Sequence, residues 1–185
     1  MNSFLADATT LIVQVLFGLY ILAVLLRFLF QLVRADFYNP ISQFLVVLTN
    51  PLLKPLRRVI PGLFGVDLAS LVLLFALQML EMYVLTWLNN VTPGLLSLTV
   101  ATVVSLVRLV INVYFYAVLL RVILSWFMPY GMQRNPAGDL LLSLTEPLMR
   151  PARRLIPAVG GLDLSPIVVL VGLQLLQLAL AHLLR

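Results

Sequence analysis

The chain contains no cysteine, so disulfides, thiolate metal sites and cysteine nucleophiles are excluded. Charged residues are also scarce: they make up 10% of the 185 residues, against about a quarter in a soluble domain. Hydrophobic residues account for 62% of the sequence, and its mean hydropathy is +1.09. These values exclude a water-soluble globule and indicate a membrane protein.

Several sequence signatures of enzymes are also missing. There is no nucleotide-binding loop, no HExxH zinc motif, no haem attachment motif and no local pair of catalytic carboxylates. The single histidine, His182, lies near the carboxyl terminus and is interpreted as an interfacial residue. We therefore expect no catalytic residue, no cofactor, no metal and no enzymatic activity. The net charge of +5 comes without a basic stripe, so nucleic-acid binding is not expected either.

What the sequence does contain is long apolar stretches. About 20 residues in a helix cross the ~30 Å hydrocarbon core of a bilayer. The predicted spans are about 11–33, 68–88, 105–127 and 164–184. The segment Asn89–Gly94 is the clearest turn signal in the chain. The third apolar stretch starts directly after it, at Leu95, so its helix must tilt, protrude or begin with a non-spanning turn.

The sequence also repeats internally. YILAVLLR at Tyr20–Arg27 recurs as YFYAVLLR at Tyr114–Arg121, with six of eight positions identical. TNPLLKPLRRVIPGLFGVDL at 49–68 aligns with TEPLMRPARRLIPAVGGLDL at 145–164, with eleven of twenty positions identical. A two-span unit has therefore been duplicated.

The predicted fold class follows from this duplication. Residues 1–92 and 93–185 each form a helical hairpin of two spans, giving an all-α membrane protein with four transmembrane helices. Because each half crosses twice, both hairpins insert with the same orientation. Ten of the twelve basic residues lie on the two span-to-span connections. The positive-inside rule places these connections in the cytoplasm and both termini outside.

Each connection opens with Asn-Pro, at Asn39-Pro40 and Asn135-Pro136. This pair predicts an N-cap and a first-turn proline, followed by a short amphipathic helix of about ten residues in the interface or against the bundle. The prolines that follow predict that this helix does not continue. They are Pro51, Pro55 and Pro61 in one copy and Pro147, Pro151 and Pro157 in the other. Asp67 and Asp163 are predicted to cap the next spans.

Six basic residues on the connections form a candidate site for anionic lipid or a partner protein. They are Lys54, Arg57, Arg58, Arg150, Arg153 and Arg154. Near an anionic surface each contributes about 1 kcal/mol, so together they would supply several kcal/mol. The alternative is that they only set topology and snorkel to the headgroups.

Polar residues also occur at predicted membrane depth. The candidate intramembrane cluster comprises Gln14, Gln78, Glu81, Arg108, Asn112, Gln174 and Gln177. A lone charge at the bilayer centre costs at least about 2.5 kcal/mol, which favours a pair between Glu81 and Arg108. The cluster either holds the helices together or lines a proton or ion path. Glu81→Gln separates these hypotheses, since the first predicts lost stability and the second altered flux with normal assembly.

The duplicated segment, above all TEPLMRPARRLIPAVGGLDLSP, resembles the YggT family of small bacterial integral membrane proteins. The resemblance covers nearly the whole chain as two tandem copies. The residues that carry it are Thr145, Glu146, Pro147, Arg153, Arg154, Ile156, Pro157, Gly161, Asp163, Ser165 and Pro166. The first copy departs from the pattern at Asn50, Phe64, Ala69 and Ser70, so the second copy is the better candidate for a binding site.

The resemblance implies a protein of the bacterial inner membrane, and the charge distribution then predicts that both termini are periplasmic. It links the chain to osmotic-stress tolerance and potassium uptake. It also links it to cell or chloroplast division, nucleoid distribution and assembly of a chloroplast cytochrome complex. Our leading hypothesis is a non-enzymatic scaffold or adaptor that contacts lipid or a membrane protein. The alternative is an ion or osmolyte conduit, or an accessory subunit of a transporter; a conduit would need homo-oligomerisation, because four spans leave little room for a pore.

Overall fold

The computed structural model describes residues 3–62, 65–127, 135–155 and 163–182, and over these ranges its elements are helices. In chain order they are α1 (Ser3–Leu32), α2 (Pro40–Val59), α3 (Leu68–Leu88), α4 (Leu95–Phe127), α5 (Pro136–Leu155) and α6 (Ser165–His182). The all-α prediction is confirmed.

Four of these helices, α1, α3, α4 and α6, are long and apolar enough to cross a membrane. Their outward surfaces are apolar: Leu16, Trp87 and Leu175, for example, are each more than 60% exposed. Exposed apolar surface of this extent suits contact with lipid chains. The helix α4 is continuous over 33 residues, or about 50 Å at ~1.5 Å per residue. The alternative of a separate non-spanning turn at its start is therefore wrong. Tilt or protrusion of the helix accounts for its length.

The ends of α1 and α3 close in the same way. Arg34 takes a positive φ of 55°, and the Ala35 N–H donates to the Phe30 carbonyl at 2.9 Å. Asn90 takes a φ of 57° and ends α3 with the equivalent bond. Both are Schellman ends, in which one left-handed residue lets the chain leave the helix while late carbonyls stay satisfied. The turn predicted after Asn89 is confirmed.

The predicted capping of α2 and α5 is also confirmed. Both helices begin at the proline of Asn-Pro. The Asn39 side-chain oxygen accepts from the Ile41 N–H at 3.0 Å, and Asn135 accepts from Ala137 at 3.0 Å. Proline fits here because the first turn of a helix needs no N–H donor.

The predicted length of α2 and α5 is wrong. Each helix has 20 residues, not about ten, and continues through two prolines, Pro51 and Pro55 in α2 and Pro147 and Pro151 in α5. All four prolines are exposed, because a spacing of four residues keeps each pair on the outer face. The hydrogen bonds they remove therefore fall on an exposed face, and the helices continue.

The chain divides into two compact units that do not coincide with the two repeats. The first unit comprises Met1–Phe28 and Leu45–Val107, and the second comprises Leu29–Phe44 and Arg108–Arg185. The most buried apolar side chains of the first unit are Ile21, Val24, Leu25, Leu53 and Ala69. Those of the second are Val118, Leu140, Leu144 and Met149.

Candidate interfacial arginine site

Arg27, near the end of α1, is the most buried cation of the first unit among the described residues, with 8% of its surface exposed. Its Nη1 donates to Thr49 Oγ1 at 2.5 Å, Asn50 Oδ1 at 3.1 Å and the Val46 carbonyl at 3.3 Å. All three acceptors are on α2. Arg27 therefore fastens the amphipathic helix to the span that precedes it.

Arg121 does the same in the second unit. It lies near the end of α4, and its side chain is 11% exposed. Its Nη1 donates to Thr145 Oγ1 on α5 at 2.7 Å, and both terminal nitrogens lie 3.3 Å from a Glu146 oxygen. The repeats differ at one acceptor: the neutral Asn50 in the first copy corresponds to the carboxylate of Glu146 in the second.

This role of Arg27 and Arg121 is not evident from the sequence, in which they count only among the ten basic residues that indicate topology. The signal was available in the repeat. Each arginine closes the duplicated AVLLR motif, and the threonine it contacts opens the second duplicated motif. Partners more than 20 residues apart are not connected by any local rule, so the contact itself required the structure.

A second contact ties each amphipathic helix to the span that follows it. Arg57 pairs with Asp67, the N-cap of α3, which also accepts from the Ser70 N–H at 3.4 Å. Arg153 Nε lies 3.0 Å from Asp163 Oδ2, and the other oxygen of Asp163 accepts from the Ser165 N–H at 3.0 Å. The predicted capping by Asp67 is therefore confirmed, and Asp163 satisfies the amide of the first residue of α6.

The same contacts control the ionisation of the two aspartates. Burial disfavours the charged form of Asp67, but hydrogen bonds from Arg57 and Ser70 outweigh it and lower the pKa of the carboxyl group below its ordinary value. Asp163 shows the same balance: burial raises its pKa, but hydrogen bonds from Ser165 and Arg153 lower it by more, and the net result is a decrease. Both side chains therefore favour the ionised form, which accepts hydrogen bonds from the helix start and pairs with arginine.

These pKa shifts predict loss of stability on the acid side. A carboxyl group whose pKa is lower in the folded state stabilises the fold fully above its unfolded pKa, about 3.9 for aspartate. That contribution disappears as the pH falls through the lower, folded pKa. We expect the melting temperature of the detergent-solubilised protein to fall below about pH 4, measured by scanning fluorimetry. The double variant Asp67→Asn, Asp163→Asn should show a shallower fall; an unchanged slope would contradict the assignment.

The six basic residues of the predicted lipid or partner site fall into two groups, according to whether they form an ion pair. Arg57 and Arg153 are engaged with the capping aspartates, and Arg150 Nε lies 3.3 Å from Glu146. The other three are exposed, and none belongs to an ion pair within the described ranges. We call these three the outer basic residues: Lys54, Arg58 and Arg154.

Four of the seven residues in the candidate intramembrane cluster form two hydrogen-bonded pairs. Gln78 Nε2 donates to Glu81 at 2.7 Å within α3, and Gln177 Nε2 on α6 donates to Asn112 Oδ1 on α4 at 2.6 Å. The second pair joins two helices, as the helix-association hypothesis expects. The other three predicted members, Gln14, Arg108 and Gln174, are exposed. Glu81 and Arg108 belong to different compact units, and their pairing stays a prediction.

The family motif identified from the sequence is described only in part. Thr145, Glu146, Arg153 and Asp163 take part in the contacts above, and Ser165 begins α6. Ile156, Pro157 and Gly161 lie outside the described residues. Among the described residues, no group of three or more His, Asp or Glu side chains is placed to hold a metal ion.

Comparison with known proteins assigns the family. The CCB3/YggT pattern matches residues 6–88 and again residues 100–184. The chain belongs to the CCB3/YggT family. Each matched segment of this CCB3/YggT protein contains one complete set of the contacts described above. The sets are Arg27, Thr49, Arg57 and Asp67, and Arg121, Thr145, Arg153 and Asp163.

Full-length relatives support the assignment. An uncharacterized protein of Pseudomonas aeruginosa is 45% identical over 94% of this chain and 88% of its own length. An uncharacterized protein of Vibrio alginolyticus, described as lying in the proC 3' region, is 39% identical over 91% of this chain and 90% of its own. The uncharacterized protein YggT of Escherichia coli K12 is 35% identical over 97% and 92%. No solved structure matches the chain.

Proposed function

We propose that this CCB3/YggT protein is a non-enzymatic adaptor of the bacterial inner membrane. In this proposal α2 and α5 lie along the cytoplasmic interface and hold anionic lipid headgroups. Other membrane components, in osmotic-stress tolerance or division, would assemble on the surface so formed. Both termini would be periplasmic, as the charge distribution favours.

The outer basic residues carry the proposal. Arg58 and Arg154 lie in the last turns of two amphipathic helices, Lys54 lies one turn earlier in α2, and all three side chains are exposed. Basic side chains at such positions also interact favourably with the negative end of the helix dipole. Basic residues near an anionic leaflet each contribute about 1 kcal/mol of attraction.

The exposed surface of α2 fits the same placement. Phe44 is 64% exposed, Val47 70%, and Leu52 43%. Facing inward on the same helix are Leu45, Thr49 and Leu53, each at most 6% exposed. A helix with an apolar outer face and basic residues at one end is suited to the boundary between acyl chains and headgroups.

Neutralising the outer basic residues should remove most of the preference for anionic lipid. In proteoliposomes, spin-labelled phosphatidylglycerol and phosphatidylcholine report how much of each lipid the protein immobilises. We expect the wild type to favour phosphatidylglycerol and the triple variant Lys54→Gln, Arg58→Gln, Arg154→Gln to lose most of that preference. Removing three charges removes about 3 kcal/mol of summed attraction.

A charge-retaining triple variant provides the control. Lys54→Arg, Arg58→Lys, Arg154→Lys should keep the preference for phosphatidylglycerol, because attraction to the leaflet depends on charge rather than on the guanidinium fork. A neutral triple variant that folds and still selects phosphatidylglycerol like the wild type would refute the proposal.

A further inference from the structure

The second unit contains a cavity of about 720 Å³ beside the amphipathic helix α5. Its lining residues are Val33, Arg121, Leu142, Ser143, Glu146, Pro147, Arg150 and Arg153. The cavity reaches the exterior, since the side chains of Arg150 and Arg153 are 74% and 41% exposed. Its volume lies within the range of about 300 to 1,000 Å³ typical of small-molecule sites.

Three guanidinium groups in this cavity share a single carboxylate. Glu146 lies 3.3 Å from Arg121, 3.3 Å from Arg150 and 3.4 Å from Arg153. These distances exceed the usual ~2.7 to 2.9 Å of a charge-assisted hydrogen bond. Arg153 has a second partner in Asp163 at 3.0 Å. Three cations against two carboxylates leave the cluster one positive charge in excess.

The chemistry of the lining identifies the class of ligand. Planar guanidinium forks match the oxygens of a phosphate group and bind it more specifically than ammonium groups do. The Ser143 hydroxyl adds a further polar group, whereas Val33, Leu142 and Pro147 make the rest of the wall apolar. A ligand that carries phosphate at one end and hydrocarbon at the other satisfies both parts of this lining.

We propose that the cavity binds a phosphate group, with Arg121, Arg150 and Arg153 as its donors. Glu146 is the internal competitor: it occupies the three guanidinium groups when the site is empty and gives way when phosphate binds. The inference rests on the proposed adaptor function, which brings this cavity to the headgroup layer, and it adds a discrete site to a general surface attraction.

Native mass spectrometry of the full chain in detergent tests the proposal. The protein is titrated with phosphatidylglycerol and, in a parallel arm, with diacylglycerol, which lacks the phosphate. We expect one phosphatidylglycerol to bind more tightly than further copies, and diacylglycerol to show no such site. Inorganic phosphate added in excess distinguishes the sources: displacement of the first lipid means that phosphate alone suffices, and retention means that the site needs the whole lipid. Equal binding of the two lipids would overturn the proposal.

Matched variants locate the site. Arg150→Gln removes one donor and should weaken the first binding event about tenfold. Arg154→Gln makes the same charge change one turn further along α5, on a residue that does not line the cavity, and should change it less than about twofold. Equal losses in the two variants would reduce the effect to surface attraction and overturn the discrete site.

Two further variants test Glu146 and the cavity itself. Glu146→Gln removes the competing carboxylate and should tighten the first binding event several-fold; weaker or unchanged binding would contradict the competitor role. Ser143→Leu fills part of the cavity without changing charge and should weaken binding, which makes the result independent of the arginines. The outer basic residues do not line the cavity, so loss of lipid preference in their triple variant and loss of this site are separate outcomes.

Discussion

Arg27→Met is expected to lower the free energy of unfolding by about 2 to 3 kcal/mol, because it removes a cation that donates to three acceptors. Methionine keeps much of the side-chain volume, so the effect reports the hydrogen bonds rather than a cavity. The three acceptors lie on α2, and the helix loses its attachment to the preceding span. For a chain of this size the change corresponds to a fall in melting temperature of roughly 5 to 10 °C.

Two companion variants make the result specific. Arg34→Met removes an exposed cation just after α1 and should change stability by less than about 0.5 kcal/mol. Arg27→Lys retains the charge but has a shorter reach to its three acceptors, so intermediate stability is expected. Scanning fluorimetry in one detergent gives all three melting temperatures. If Arg27→Met melted like the wild type, or no lower than Arg34→Met, Arg27 would not be an anchor.

The contacts of Arg27 and Arg121 also show which features can be predicted from the sequence. Spans, Asn-Pro caps and the turn near Asn90 depend on composition or on neighbours within a few residues, and all are confirmed. The contacts of Arg27 with α2 join residues up to 23 apart. Only tertiary structure brings such residues together, although the repeat had already marked the arginine and the threonine in both copies.

The prolines of α2 and α5 are a case in which a local rule, that proline ends a helix, does not hold. Proline interrupts a helix because it lacks an N–H and crowds the preceding turn. In α2 the cost falls on the exposed face, while Thr49 and Leu53 are fully buried on the inner face. Inward packing and the Arg27 contact therefore keep the helix continuous through Pro51 and Pro55.

The contacts of the paired arginines also revise the binding site predicted from the sequence. The sequence treated each Arg-Arg pair as one feature, but the structure gives its two members different surroundings. Both arginines are exposed, but Arg57 contacts a capping aspartate, whereas Arg58 belongs to no ion pair within the described residues. Helical geometry predicts that adjacent residues point about 100° apart, but which of the two faces the next span depends on how the helix packs.

Asp67→Ala is expected to cost about 3 kcal/mol, the second large effect. The substitution removes the N-cap of α3, worth about 1 kcal/mol, and leaves Arg57 without its carboxylate. Asp67 is 6% exposed, so water reaches and screens the pair only from the arginine side. Breaking a fully buried pair costs about 3 to 5 kcal/mol, and the 38% exposure of the arginine side chain places this pair below that range.

The second repeat supplies the matched control. Asp163 makes the corresponding contacts with Arg153 and Ser165, but its side chain is 43% exposed. Water screens that pair, so Asp163→Ala should cost only about 1 kcal/mol. Equal losses in the two alanine variants would mean that capping alone matters and that burial of the Asp67 pair adds nothing.

Asp67→Asn separates the two contributions of this side chain. Asparagine is as good an N-cap as aspartate, so the variant keeps the cap and removes the charge that Arg57 contacts. Its stability should lie between the wild type and Asp67→Ala, and adding Arg57→Gln should cost little more. Because the same pair supports the lowered pKa of Asp67, Asp67→Asn should also melt with a weaker dependence on acid pH. A variant as stable as the wild type at neutral pH would show that the ion pair contributes nothing there and that α3 is held by its cap.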